Sequence, residues 1–164
     1  MGRRSDHSRV ELAEMIVAQG QRHMAEVGFA HFSSREVAKR IGYSVGTLYN
    51  VFGSYDRLIV AINTRTFDLW ADSLEARLSD NPEDRIAALV EGYFDFARHN
   101  LNIWMAIYYH RLPLGVPMPD DYARQRAGLT EVVVREVTAV LPPKARDIAS
   151  RLTGSLERTV PAHC

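Results

Sequence analysis

At 164 residues, with 46% hydrophobic and 24% charged residues, the chain has the size and balance of one globular unit that can bury its own core. Its one cysteine, Cys164, cannot support a disulfide framework or a thiolate metal cluster, so a reducing cytoplasm is the expected compartment. No apolar run approaches the roughly 20 residues of a membrane span, and the opening Met1-Gly2-Arg3-Arg4-Ser5-Asp6 leads into mixed charge, so neither secretion nor membrane insertion is expected. The formal net charge is zero, yet the stretch up to Leu58 carries eight cations against six acids. That small excess permits an anionic partner there without requiring one.

Apolar and small residues recur every three or four positions and strand-like alternation is scarce, so the expected fold class is all-α. Leu12, Ile16, Gly20, Met24 and Val27 mark the buried stripe of a first helix, which Gly28 ends as a left-handed C-cap residue. Ser33-x-x-Glu36 reads as a capping box that opens a short second helix with Val37, Ala38 and Ile41 inward and Gly42 closing it. Ser44 caps a third helix over residues 45 to about 51. Ser54 caps a long fourth one over about 55 to 78, with Leu58, Ile62, Leu69 and Trp70 among its apolar positions. Asn81 as cap, Pro82 at the first helical position and Glu83 and Asp84 at the positive end of the helix dipole predict a fifth helix. Its inward face is expected to be Ile86, Leu89, Val90, Tyr93 and Ala97. A short aromatic helix follows Asn100, then an extended loop over residues 112–120 that contains Pro113, Pro117 and Pro119. Two last helices are expected, over about 121–141 and about 143–158.

The stretch from Ser33 to Phe52 carries the functional signal. Ala38 is small where two helices must cross closely, Gly42 can supply the positive φ of a tight turn, and Leu48 can plug the contact, which is the spacing of a helix-turn-helix. A plain helical hairpin would share Ala-x-x-x-Gly, so the second helix has to separate the two readings. It carries Ser44, Thr47, Tyr49 and Asn50 and no charged residue between Ser44 and Phe52, where a merely solvated helix would carry Lys and Glu. Small polar groups and a glycine at a helix start let phosphates and base edges come close, and Arg35 can reach a guanine edge or a phosphate.

The run Ser33-Ser34-Arg35-Glu36-Val37-Ala38-Lys39-Arg40-Ile41-Gly42-Tyr43-Ser44-Val45-Gly46-Thr47-Leu48-Tyr49-Asn50-Val51-Phe52, continued by Gly53-Ser54-Tyr55-Asp56-Arg57-Leu58, resembles the tetracycline-repressor (TetR) family of bacterial transcription regulators. The resemblance covers the region from about Val10 to Leu58. It implies an N-terminal three-helix helix-turn-helix domain, residues 1–58, packed on a C-terminal helical effector-binding and dimerisation domain, residues 59–164, shortened at its end relative to the family. The DNA-facing positions it implies are Ser34, Arg35, Ser44, Val45, Gly46, Thr47, Tyr49, Asn50 and Tyr55, with Ser34 and Tyr49 at phosphates. Tyr55 stands where members often have a lysine gripping the backbone, which leaves phosphate anchoring either weaker or shifted to Arg57 and to Arg3, Arg4 and Arg9, residues that read equally well as a solvated arm. The activity implied is that of a ligand-responsive regulator, a repressor acting as a homodimer on a near-palindromic operator in double-stranded DNA, released when an effector moves the fourth helix.

For that effector, a small and largely apolar molecule, the candidate pocket is Phe67, Trp70, Tyr93, Phe94, Arg98, Trp104, Met105 and Tyr108, with His99, Asn102 and His110 as further polar anchors. Taken singly, each of these aromatics is also an ordinary core residue. Candidate dimer contacts are Leu129, Val133 and Val137 on one helix and Leu152 and Leu156 on the last. No cofactor, metal or catalytic role is expected, since the six histidines show no i, i+4 pair and no nucleophile sits in a known motif. Tyr109 and His110 read as a helix-surface pair. Two rival readings remain open: a helical small-molecule-binding or enzymatic protein with an incidental helix-turn-helix, and an adaptor that dimerises with a longer relative.

Overall fold

The computed structural model describes residues 8–142. They form α1 (Arg9–Val27), a 3₁₀ turn (Phe29–His31), α2 (Ser34–Arg40), α3 (Val45–Phe52), α4 (Tyr55–Asp80), α5 (Arg85–His99), α6 (Leu101–Tyr109) and α7 (Asp120–Val140). No strand occurs among the described residues, and none of their helices is long and apolar enough to cross a membrane. The helix expected from Pro143, with Leu152 and Leu156, lies outside them. Two compact units divide the chain: the first runs to Thr66 and takes back Leu101–His110, while the second holds Phe67–Asn100 and resumes at Arg111.

In the first unit α1 opens on a complete capping box, which the sequence reading missed. Ser8 Oγ accepts the Glu11 amide at 3.2 Å, and the Glu11 carboxylate accepts the Ser8 amide at 2.7 Å. At Ser33 only half of the expected box forms. Ser33 Oγ accepts the Glu36 amide at 3.3 Å, but the Glu36 carboxylate turns to Arg40 at 3.2 Å. Arg40 also reaches Glu26 of α1 at 2.7 Å, so the same ion pairs that divert Glu36 fasten α2 to α1. The bond from Arg40 holds the Glu36 carboxyl below its ordinary range. Leu12, Ile16, Gly20 and Met24 are buried as the stripe predicts, Val27 at its end is only half-buried, and Gly28 ends α1 with φ 73°. At Gly20 a Cβ would lie 2.6 Å from Ile62 Cδ1, so this glycine lets α4 come against α1. α6 is tied into the same unit, Asn102 Nδ2 donating to Ala25 O at 2.7 Å and Asn63 Nδ2 of α4 donating to Ala106 O at 3.3 Å.

In the second unit α5 starts later than the sequence predicts. Its cap is Asp84, which accepts the Ala87 amide at 3.1 Å, whereas Asn81 donates to Arg77 O at 2.9 Å and so closes α4. The buried face is also rotated: Ala88, Leu89, Gly92 and Phe96 turn inward, and Val90 is 50% exposed. Small residues take the inward positions because α4 comes close; a Cβ on Gly92 would meet Leu74 at 2.9 Å. Leu69, expected to be apolar core, is 39% exposed. The core instead stacks Trp70 on Phe96, ring centroids 5.3 Å apart, with Tyr93 tilted against Trp70 at 5.0 Å and Phe67 edge-on to Tyr122 at 5.1 Å.

A charge network joins three helices of this unit. Glu136 of α7, 4% exposed, accepts two bonds from Arg85 at the start of α5, at 2.6 and 2.8 Å, and one from Arg135 at 2.8 Å. Arg135 in turn forks onto Glu75 of α4 at 2.8 and 2.9 Å. The Arg85 bonds, opposed by burial and aided by Arg135, push the Glu136 carboxyl down from 4.5 to about 2. Its folded pKa thus lies below the unfolded one, so the contribution to stability is complete above about pH 4.5 and is lost as pH falls towards 2. Glu136→Gln is expected to cost about 1.5–3 kcal/mol at pH 7 in urea unfolding. The gap from the parent protein should close as pH falls below 4.5; a gap that persists undiminished at pH 3 would contradict this origin.

Candidate nucleic-acid interface

The α2–α3 crossing is built as its sequence requires. Ala38 is 2% exposed and Leu48 fully buried, while Gly42 takes φ 76° between them. The turn closes with Gly42 N–H on Lys39 O at 3.2 Å and Tyr43 N–H on Ala38 O at 2.9 Å. Ser44 Oγ accepts the Thr47 amide at 3.2 Å and lies 3.0 Å from Thr47 Oγ1. With its lone pair on the amide, the Ser44 hydroxyl can give its proton to Thr47 Oγ1, which leaves the Thr47 hydroxyl hydrogen to point outward. Gly53, φ 86°, ends α3.

Beside α3 lies a cleft of about 430 Å³ lined by Phe32, Ser33, Ser34, Arg35, Val45, Tyr49 and Tyr55. Ser34 Oγ and Tyr49 Oη are 2.8 Å apart on its wall. Burial first, then the nearness of Tyr49 and Asp56, raises the Tyr55 phenol above its ordinary value of 10, so it remains a neutral O–H donor. The cleft therefore offers hydroxyl donors and one exposed guanidinium, Arg35, to an anion. Ser44, Gly46 and Asn50 are exposed on α3, and Thr47 half-exposed. Gly46 has ordinary backbone geometry, and a Cβ there would meet nothing nearer than Ser44 Oγ at 3.6 Å.

The nine expected DNA-facing residues thus fall on the cleft (Ser34, Arg35, Val45, Tyr49, Tyr55) or on the open part of α3 and its cap (Ser44, Gly46, Thr47, Asn50). Phe32 and Ser33 line the cleft without having been singled out; the apolar residue ahead of a serine cap was the available signal. Next to Tyr55, Asp56 Oδ1 lies 3.0 Å from His110 Nε2, and that imidazole is 6% exposed. This corrects the surface-pair reading of Tyr109 and His110: Tyr109 is 62% exposed, while His110 turns inward to hold the end of α6 against the start of α4. The Arg9 guanidinium, expected above as a phosphate anchor, faces carbonyls of α3, its Nη2 3.4 Å from Asn50 O and from Val51 O.

Of the effector candidates, Phe67, Trp70, Tyr93, Phe94 and Arg98 belong to the second unit, where Phe67 and Trp70 are buried, Phe94 is 59% exposed and Arg98 pairs with Asp95. Trp104, Met105 and Tyr108 belong to the first, where the Trp104 and Tyr108 rings meet at 4.8 Å. On α7, Leu129 and Val133 are half-buried and Val137 is 37% exposed.

Residues 16–62 match the family model described as bacterial regulatory proteins, tetR family. The chain is 24% identical over 154 residues to the HTH-type transcriptional regulator BetI of Stenotrophomonas maltophilia (strain R551-3), an alignment covering 88% of this chain and 76% of that protein. The crystal structure of the regulatory protein SCO4313 superposes with a TM-score of 0.60 at 22% identity, over 94% of this chain and 71% of the other. This last likeness is one of fold.

The Ser34–Tyr49 pair is expected to couple the two helices energetically. Ser34→Ala and Tyr49→Phe should each cost about 0.5–1.5 kcal/mol in urea unfolding, and the double variant should cost less than their sum. Strict additivity would mean that the two hydroxyls do not bond in solution.

Proposed function

We propose that the chain is a helix-turn-helix transcriptional regulator of the tetR family, as its match over residues 16–62 and its likeness to BetI support, and that it is a repressor whose homodimer reads a near-palindromic operator and lets go when a small, largely apolar effector binds. The reading head is proposed as residues 1–58 and the effector and dimer part as 59–164. Gly46 is the observation that supports the reading best. The fold needs no glycine there, since neither φ nor a neighbouring atom demands one, and a glycine in a helix is a concession in stability. A surface that must lie against the backbone of α3 accounts for it. Arg35, Thr47 and Asn50 are then placed for base edges, and Ser34, Tyr49 and Tyr55 for phosphate oxygens.

Effector binding rests on family membership, with Phe67, Trp70 and Tyr93 as the first residues to test. An effector can act only by binding the released conformation more tightly than the DNA-bound one. The dimer rests on membership and on α7. Val137 and Val140 are 37% and 64% exposed there, on the same side of the helix as Val133. A two-fold pairing would cover this face and set two heads about 34–36 Å apart, one turn of duplex.

Two measurements test the proposal. Gly46→Ala is expected to leave unfolding stability unchanged or raise it by about 0.5 kcal/mol, while weakening duplex binding; Arg35→Ala should cost about 1–3 kcal/mol of operator binding if the guanidinium reads a guanine. Full duplex affinity in both variants would remove the reading-head assignment. In sedimentation, the parent protein is expected as a dimer and Val133→Asp as a folded monomer. A parent that stays monomeric with DNA present would contradict the assembly.

A further inference from the structure

The last carbonyls of any helix lack intrahelical donors, and α3 carries no basic residue in its last turn to answer them. Gly53 N–H takes Tyr49 O at 2.7 Å. The next two, Asn50 O and Val51 O, both face Arg9, whose Nη2 lies 3.4 Å from each. Arg9 is the first residue of α1, and the Ser8–Glu11 capping box fixes the backbone from which it reaches. A cation from another helix thus stands at the negative end of the α3 dipole, where the helix supplies none of its own.

We infer that Arg9 is a positioning residue for DNA reading, holding the C-terminal end of α3 against α1 and so setting the angle at which Gly46, Thr47 and Asn50 enter a groove. This rests on the DNA-reading proposal above. α3 is eight residues long, so its direction is set by what holds its two ends. Ser44 and the buried Leu48 hold the first; Gly53 and Arg9 act at the second. The contacts seen are to carbonyls of the protein, so the role inferred for Arg9 bears on which sequence is bound, whereas a phosphate contact by its remaining N–H groups would show in how strongly binding depends on salt.

The test uses the full chain, with Arg9→Ala and Arg9→Lys, on a duplex carrying the selected operator and on a random duplex of equal length, each over a range of salt. Arg9→Ala is expected to lower operator affinity about two- to fivefold per reading head, with affinity for random duplex hardly changed. The slope of log K against log salt should stay as in the parent protein, and Arg9→Lys should recover part of the specificity ratio. A slope reduced by about 0.9, with both affinities falling together, would show a phosphate contact instead. Equal losses on both duplexes at unchanged slope would show mere destabilisation, and unchanged affinities would show no role; each overturns the inference. A parent protein that prefers no sequence would remove the DNA-reading proposal itself, and this role with it.

Discussion

The arrangement of the first unit depends on how closely α2 and α3 can cross. Ala38 leaves room for that crossing and Gly42 turns the chain sharply enough to make it, while Leu48 fills the space beneath. A larger side chain at Ala38 would push α3 outward and tilt every residue on its far face, whereas a β-carbon at Gly42 would meet no atom within 4 Å and would instead strain the backbone at φ 76°. Once the crossing is set, Ser44 and Thr47 arrange their own hydroxyls, and Tyr49 reaches back to Ser34. The chemistry of the exposed face follows from packing on the buried one.

That face is neutral apart from Arg35. In the proposed reading, the Tyr55 hydroxyl and the one hydrogen left over from the Ser34–Tyr49 pair would meet an oxyanion by direction and not by charge, so affinity drawn from them would depend little on counterion release. The start of α4 is held on two sides within the same unit, Tyr55 in the cleft and Asp56 on the buried His110. In the second unit a charge network centred on Glu136, far along the chain from any of these groups, joins α4, α5 and α7.

Local signals in the sequence were legible where one residue answers one backbone requirement. Gly28, Gly42, Ser44 and the Leu12–Ile16–Gly20–Met24 stripe appear as read, because a cap or a positive φ is decided within a few residues. The failures share a cause in competition from other groups, some one helical turn away and some distant in sequence. Glu36 abandons its box for Arg40 and Arg40 for Glu26; Asn81 is claimed by the end of α4; the inward face of α5 is chosen by how near α4 comes to Gly92. His110 looked like a surface residue because nothing local shows Asp56, 54 positions away, as its partner. The carbonyls that Arg9 faces are likewise 41 and 42 positions away and leave no local sign.

The central claim is that the α3 face reads a duplex and does so as one of a symmetric pair. Selection of binding sites from random duplex DNA by the full chain tests both halves at once. The account predicts a near-palindromic consensus whose half-site centres lie about one helical turn, 34–36 Å, apart or a multiple of it. Recovery of no consensus, or of a single unpaired half-site, would contradict it.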